Sequence, residues 1–275
     1  MMAEAGKNVN TSEFYQQIWQ DYIKMTPQAE AIADALAARG ETVLNDHIAF
    51  RTFNQGPTQL AALEPLILAL GYKRFEPYHF AAKKLDAFGY TPPHPDLPRI
   101  FISELRVEEL SPESQAILLP LIDQIPADAA ADASVFWRGR PWSAPSFADY
   151  QVLAAESEYA AWLSIIGLRV NHFTININAL AQMSEVAQLN EFVEDLGFQI
   201  NASGGRVKGS PAVLLEQAST LASTQDFEFA GGEQHSVTTC YYEFAKRYYD
   251  DAGQLYQGFV AASADKIFES THSQS

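Results

Sequence analysis

The sequence has 275 residues, 47% of them hydrophobic, enough for one large domain or two small ones. Its net charge of -16, from 34 acidic and 18 basic residues, argues against a nucleic-acid partner, because that binding needs clustered Lys and Arg. No apolar run reaches the ~20 residues of a membrane span, residues 1–10 lack a secretory apolar region, and Cys240 is the single cysteine, so a cytoplasmic protein with no membrane partner and no internal disulfide is expected.

Residues 12–38 read as one helix that Thr11 or Ser12 can cap. The segment Leu44–Phe53 is rich in strand formers and stops at Gln55-Gly56-Pro57. Leu60–Leu70 is an amphipathic helix ending at Gly71. Tyr72–Phe80 and Arg99–Leu105 read as strands, with a proline-rich loop between them. Residues 111–165 interrupt the pattern, with helices expected at Pro112–Asp123 and Phe147–Ile165. Val170–Asn178 is a strand, Met183–Leu196 a helix stopping at Gly197, and strands follow near Phe198–Asn201, Ala212–Ala218 and Ser236–Lys246. The tail after Ala264 is polar and expected to fray.

Two stretches match. Asp46-His47 opens one and Asn171-His172 the other, and each strand leads to a helix ending Leu-Gly-aromatic, at Leu70-Gly71-Tyr72 and Leu196-Gly197-Phe198. The histidine-to-glycine spacing is 24 residues (47 to 71) and 25 residues (172 to 197). Such self-similarity implies a β-α-β-β-β unit used twice. The expected α+β organisation is an N-terminal helical segment (1–43), a first module (44–110), a helical insertion (111–166), a second module (167–250) and a tail (251–275), forming one compact catalytic domain. Nothing in the sequence sets the oligomeric state.

Residues two apart on a strand share a face. His47, Ala49, Arg51 and Phe53 form one row; His172, Thr174 and Asn176 a second; Tyr241, Glu243, Ala245 and Arg247 a third. His47 and Arg51 then lie about 13 Å apart, at ~3.3 Å per residue. This offset suits a metal at one end of a substrate and a carboxylate clamp at the other, and the arginine fork can hold a carboxylate through two bonds. Taken singly, a strand histidine is more often a hydrogen-bonded structural residue. Two at equivalent points of a repeat make metal ligation competitive with that. Glu243 is a candidate carboxylate, because a glutamate within an aromatic strand is costly to bury without a partner, and a metal or an arginine would compensate it. Glu104 competes as its rough counterpart in the first module, and His79 and His94 remain possible ligands, whereas His235 and His272 look peripheral. Two imidazoles and a carboxylate form the facial triad of non-haem Fe(II) oxygenases, although the same set suits zinc. Arg247, Tyr241, Asn176 and Gln217 are candidates to line the substrate space. The insertion is a candidate cover for the cavity, with Trp137, Trp142 and Trp162 suited to a lid, though plain packing is the commoner role for each.

The segments Asp46–Phe53, Pro98–Leu105, Gly139–Trp142, Tyr159–Trp162, Asn171–Ile175 and Glu243–Arg247 together resemble the 2-oxoadipate dioxygenase/decarboxylase family, in the family's order, over most of residues 44–250. The resemblance implies a vicinal-oxygen-chelate fold, in which the paired modules form a partly closed barrel around the metal. It implies Fe(II) held at His47, His172 and Glu243, with Arg51 on the substrate carboxylate. It also implies a reaction of 2-oxoadipate with O2 that yields 2-hydroxyglutarate and CO2, within lysine degradation. The chain resembles a short form, lacking the C-terminal sequence through which longer members contact substrate, so the preferred length of the 2-oxo diacid stays open. Two other readings compete: a lyase or isomerase using another divalent metal, and a non-catalytic protein that binds a small acid.

Overall fold

The computed structural model describes residues 10–268. Two helices lead, α1 (Thr11–Met25) and α2 (Pro27–Ala38). The first module follows as β1 (Asn45–Phe53), α3 (Leu60–Ala69), β2 (Lys73–Phe80), β3 (Leu85–Thr91) and β4 (Arg99–Leu105). The insertion carries α4 (Pro112–Ile122), α5 (Phe147–Glu156) and α6 (Glu158–Ile166). The second module is β5 (Val170–Asn176), α7 (Val186–Asp195), β6 (Lys208–Ser210), β7 (Leu215–Ser219), a hairpin of β8 (Thr224–Glu228) and β9 (Gln234–Thr238), and β10 (Tyr241–Arg247). The last described helix is α8 (Ala261–Phe268).

Eight strands form one curled sheet in the order β2-β3-β4-β1-β5-β10-β7-β6. Each half of that order repeats the same module, mirrored about the β1–β5 seam, so the expected pair of β-α-β-β-β units is present. The helix stops that marked the repeat are real: Gly71 and Gly197 take φ of 89° and 91°, a left-handed conformation that glycine adopts without strain. At the seam, β1 and β5 run antiparallel with Ala49 opposite His172 and His47 opposite Thr174. β5 and β10 run parallel, with Tyr241 opposite His172 and Glu243 opposite Thr174. The other face of these strands is covered by α1, whose Trp19 and Tyr22 rings pack on Phe173 and Tyr242. The alternation of strand side chains thus sends the aromatic set outward and the His/Glu set inward.

Several expected elements are divided. The helix over 12–38 breaks at Thr26, because Pro27 has no N–H to continue the ladder and instead begins α2. The helix over 147–165 breaks at Ser157, whose hydroxyl accepts from Ala160 N and caps α6. The chain between Phe80 and Arg99 is not all loop, because β3 pairs there with both β2 and β4. Around Phe198–Asn201 there is only a single bridge, Ile200 to Thr220, and the strand of that module lies at β6 instead. The strand expected over 236–246 splits at Thr239-Cys240, where Ser223 bonds both residues and closes the β8–β9 hairpin. The tail is helical as far as Phe268, and His272 lies outside the described residues. Among the described residues no helix is long and apolar enough to cross a membrane.

Candidate metal centre

The seam register brings three strands' inward rows to one point. One ligand atom from each of His47, His172 and Glu243 lies within 4.8 Å of the others, and all three residues are buried. Glu243 Oε1 is 3.5 Å from His47 Nε2, and Glu243 Oε2 is 3.3 Å from His172 Nε2. Residues 47 and 172 are neighbours only because β1 and β5 are paired across the repeat.

Hydrogen bonds at the far side of each ring decide what faces this point. His47 Nδ1 is 2.8 Å from Asp46 Oδ1, and a carboxylate oxygen can only accept, so the proton sits on Nδ1 and Nε2 keeps its lone pair. His172 Nδ1 is 3.0 Å from Asn171 Oδ1, which acts in the same way. Burial, with the charges of His47 and Arg51 adding to it, holds the His172 pKa well below its usual value, which keeps the ring in its neutral, ligating form. Burial pushes the Glu243 pKa up, opposed by His47 and by the Gln217 amide, which donates to Oε1 at 2.5 Å. Two imidazole Nε2 atoms and a carboxylate thus converge in a buried space. Two imidazole nitrogens and a carboxylate are the donor set of a divalent metal site, so the residues present fit such an ion. Aromatic rings fix both imidazoles: Tyr241 stacks on His172 at 4.7 Å, and Phe259 meets His47 edge-on at 4.9 Å.

Asp46 is anchored in turn. Arg247 donates to both its oxygens at 2.7 and 2.9 Å, and Arg99 approaches at 3.4 Å. Burial raises the Asp46 pKa, but Arg247, His47 and Arg99 outweigh it and hold the carboxyl well below the usual range. Arg247, expected at the substrate, spends its donors on Asp46 and on the carbonyls of Tyr256 and Gly258. Its place is therefore behind His47.

Glu104 does not join the cluster. It accepts from Leu60 N at 2.8 Å and caps α3. The register shows why: Glu243 stands opposite Thr174, two residues past His172, whereas the residue opposite Ala49, two past His47, is Phe101. An apolar ring occupies the place of a fourth ligand. His79, His94 and His235 bond to Asp86, Asp96 and Glu233, away from the triad. Asn176 accepts from Asn178 N and shapes the turn after β5. The Tyr241 hydroxyl is buried without a hydrogen-bond partner, and the charges of Glu243, Arg51 and Glu158 all act on it.

Arg51 is buried on the same inward side, with its guanidinium over the rings of Tyr159 (4.8 Å) and Trp162 (5.0 Å) and bonded to Glu158 at 2.9 Å. All three partners come from the insertion. The space at the triad itself is only about 20 Å³, room for one water, and is closed by Phe101, Phe259 and Ile267. A far larger cavity of about 570 Å³ is walled by α5, α6 and β9, including Glu158 and Trp162. Arg51 touches that wall through Glu158 and Trp162, and its charge acts on His172 and Tyr241. Of the three candidate lid tryptophans, Trp162 alone is at the site. Trp142 donates to Ser164 O, and Trp137 packs on Phe14.

Sequence reasoning missed Asp46, Phe101, Phe259 and Glu158. A signal existed for the first: an acceptor side chain precedes each ligand histidine, at Asp46 and Asn171. The others carry none, since only tertiary packing brings them in.

The chain is 38% identical over 274 residues to the 2-oxoadipate dioxygenase/decarboxylase, chloroplastic/amyloplastic, of Oryza sativa subsp. japonica, covering 91% of this chain and 75% of that protein. Its fold superposes with a TM-score of 0.86 on the Oryza sativa hydroxyglutarate synthase in complex with 2-oxoadipate, at 36% identity, covering 94% of this chain and 90% of that one. A crystal structure from Shewanella frigidimarina NCIMB 400 gives 0.88 at 44% identity, covering 92% and 98%. The family model for 2-oxoadipate dioxygenase/decarboxylase matches residues 7–254, and the chain belongs to that family.

Proposed function

We propose that this chain is an Fe(II)-dependent dioxygenase/decarboxylase that converts 2-oxoadipate and O2 into 2-hydroxyglutarate and CO2, a step of lysine degradation. The observation that carries this reading is the convergence of His47, His172 and Glu243 with Arg51 on the same inward side. The named relatives support the substrate.

His47, His172 and Glu243 would hold the iron, which supplies the redox chemistry of O2 activation when bound. The remaining work falls to the protein's side chains. Arg51 binds the far carboxylate of the diacid, and its aromatic walls confine the fork to one plane. Asp46 and Asn171 keep both histidines in the ligating tautomer. Thr174 places its hydroxyl 3.1 Å from His47 Nε2, and Gln217 fixes the Glu243 carboxylate. Phe101, Phe259 and Ile267 exclude water from the reacting end. The buried Tyr241 hydroxyl is placed to bond a substrate oxygen lying between the triad and Arg51.

The test is O2 consumption with and without Fe(II) against 2-oxo diacids of C4 to C7. Uptake with 2-oxoadipate, matched by equal CO2 and 2-hydroxyglutarate, is the expected result. No uptake with any member, or turnover without O2, would sink the reading and favour a lyase or isomerase. Zinc in place of iron in the active protein would do the same, since the donor set accepts either metal.

A further inference from the structure

Arg51 is taken up even without a substrate. Its guanidinium is almost fully buried, and Glu158 supplies a carboxylate to it at 2.9 Å. That carboxylate competes for the fork with the one the proposed substrate would bring. Glu158 differs from the other acidic groups of the site in its freedom to move. Asp46 and Glu243 are each 1% exposed and tied to two or more partners, whereas the Glu158 side chain is 22% exposed. It is the first residue of α6, next to the Ser157 break, so its side chain projects from a helix end. It also borders open volume on two sides: the cavity of about 570 Å³ under α5 and a second of about 210 Å³ beside Lys83 and Lys84. A carboxylate displaced from Arg51 therefore has solvent-connected room to occupy.

The charges favour such a displacement. Arg99 and Arg247 serve Asp46, whereas Arg51 faces the insertion through Glu158 and acts on His172. A diacid that brings a carboxylate to Arg51 while Glu158 stays bound sets two anions on one buried guanidinium, and their repulsion weakens binding. A monoacid of the same length has no such conflict.

We propose that Glu158 is a resident stand-in for the substrate's distal carboxylate, a displaceable latch on Arg51 that swings into the α5–α6 cavity when a diacid binds and so sets the affinity for diacids. This rests on the reading of Arg51 as the carboxylate site.

The test is anaerobic titration calorimetry on the Fe(II)-loaded full chain, with 2-oxoadipate and with 2-oxohexanoate, which has the same length but no distal carboxylate. Glu158→Gln keeps the size and removes the charge; Glu158→Ala removes both, and melting curves confirm that each variant folds. Both are expected to bind 2-oxoadipate about ten-fold tighter than the native chain, equivalent to ~1.4 kcal/mol, with 2-oxohexanoate within about two-fold. Unchanged or weaker diacid binding would mean that Glu158 merely positions Arg51, and equal tightening of both acids would mean a general charge effect; either overturns the latch. If the native chain binds 2-oxoadipate tightly but never consumes O2, the oxygenase reading fails and the latch stands. If no form binds either acid, both fall.

Discussion

Arg247 and Asp46, 201 residues apart in the chain, meet in a buried two-point ion pair at 2.7 and 2.9 Å. Through that pair the end of the second module reaches His47, because Asp46 also accepts a hydrogen bond from His47 Nδ1. The same guanidinium holds the carbonyls of Tyr256 and Gly258, so the segment carrying Phe259 hangs from the group that orients His47.

Asp46→Asn should therefore act twice. Leaving Arg247 buried without its counter-charge costs about 3–5 kcal/mol of stability. Losing the carboxylate behind His47 lowers metal affinity about 10- to 100-fold. Melting of the metal-free protein measures the first effect and metal titration the second. Native-like values for both would show that the pair is dispensable.

The triad is a buried donor set suited to a cation, so metal and fold should be coupled. Divalent metal at a hundred times its Kd should stabilise the native chain by about 2.7 kcal/mol, and EDTA should reverse this. His47→Ala, His172→Ala and Glu243→Ala should each abolish the shift and O2 consumption together. A shift that persists in all three variants would place the metal elsewhere.

Phe259→Ala should open the space of about 20 Å³ at the triad, because that ring closes it beside His47. The expected outcome is a lower KM for a C7 2-oxo diacid relative to 2-oxoadipate, at a stability cost of about 3 kcal/mol. Steady-state kinetics across the chain-length series reads the change. An unaltered preference would mean that Phe259 does not limit substrate length.

Cys240 is fully buried, and burial pushes its thiol pKa up to about 12. At pH 8 it should resist iodoacetamide in the native chain and react once the chain unfolds. Its labelling rate should therefore follow global unfolding and slow when metal is added. Rapid native labelling would reveal local opening at the β9–β10 junction.

The sequence by itself determined the doubled module and the inward rows of His47, Arg51, His172 and Glu243. Strand alternation and glycine stops are local properties, so they are legible without a fold. Its errors were also local: Pro27 and Ser157 break helices that apolar periodicity alone would continue, and the β8–β9 hairpin hides inside one long apparent strand. Tertiary structure decided everything that depends on register. The β1–β4 alignment sets Phe101 rather than Glu104 opposite Ala49 and so leaves a candidate set of three donors. The β1–β5 and β5–β10 pairings close the 125 residues between His47 and His172. Packing of the insertion and the C-terminal segment then tied Arg247 to Asp46 and gave Arg51 its own carboxylate, because buried charges must find partners that no spacing in the sequence encodes.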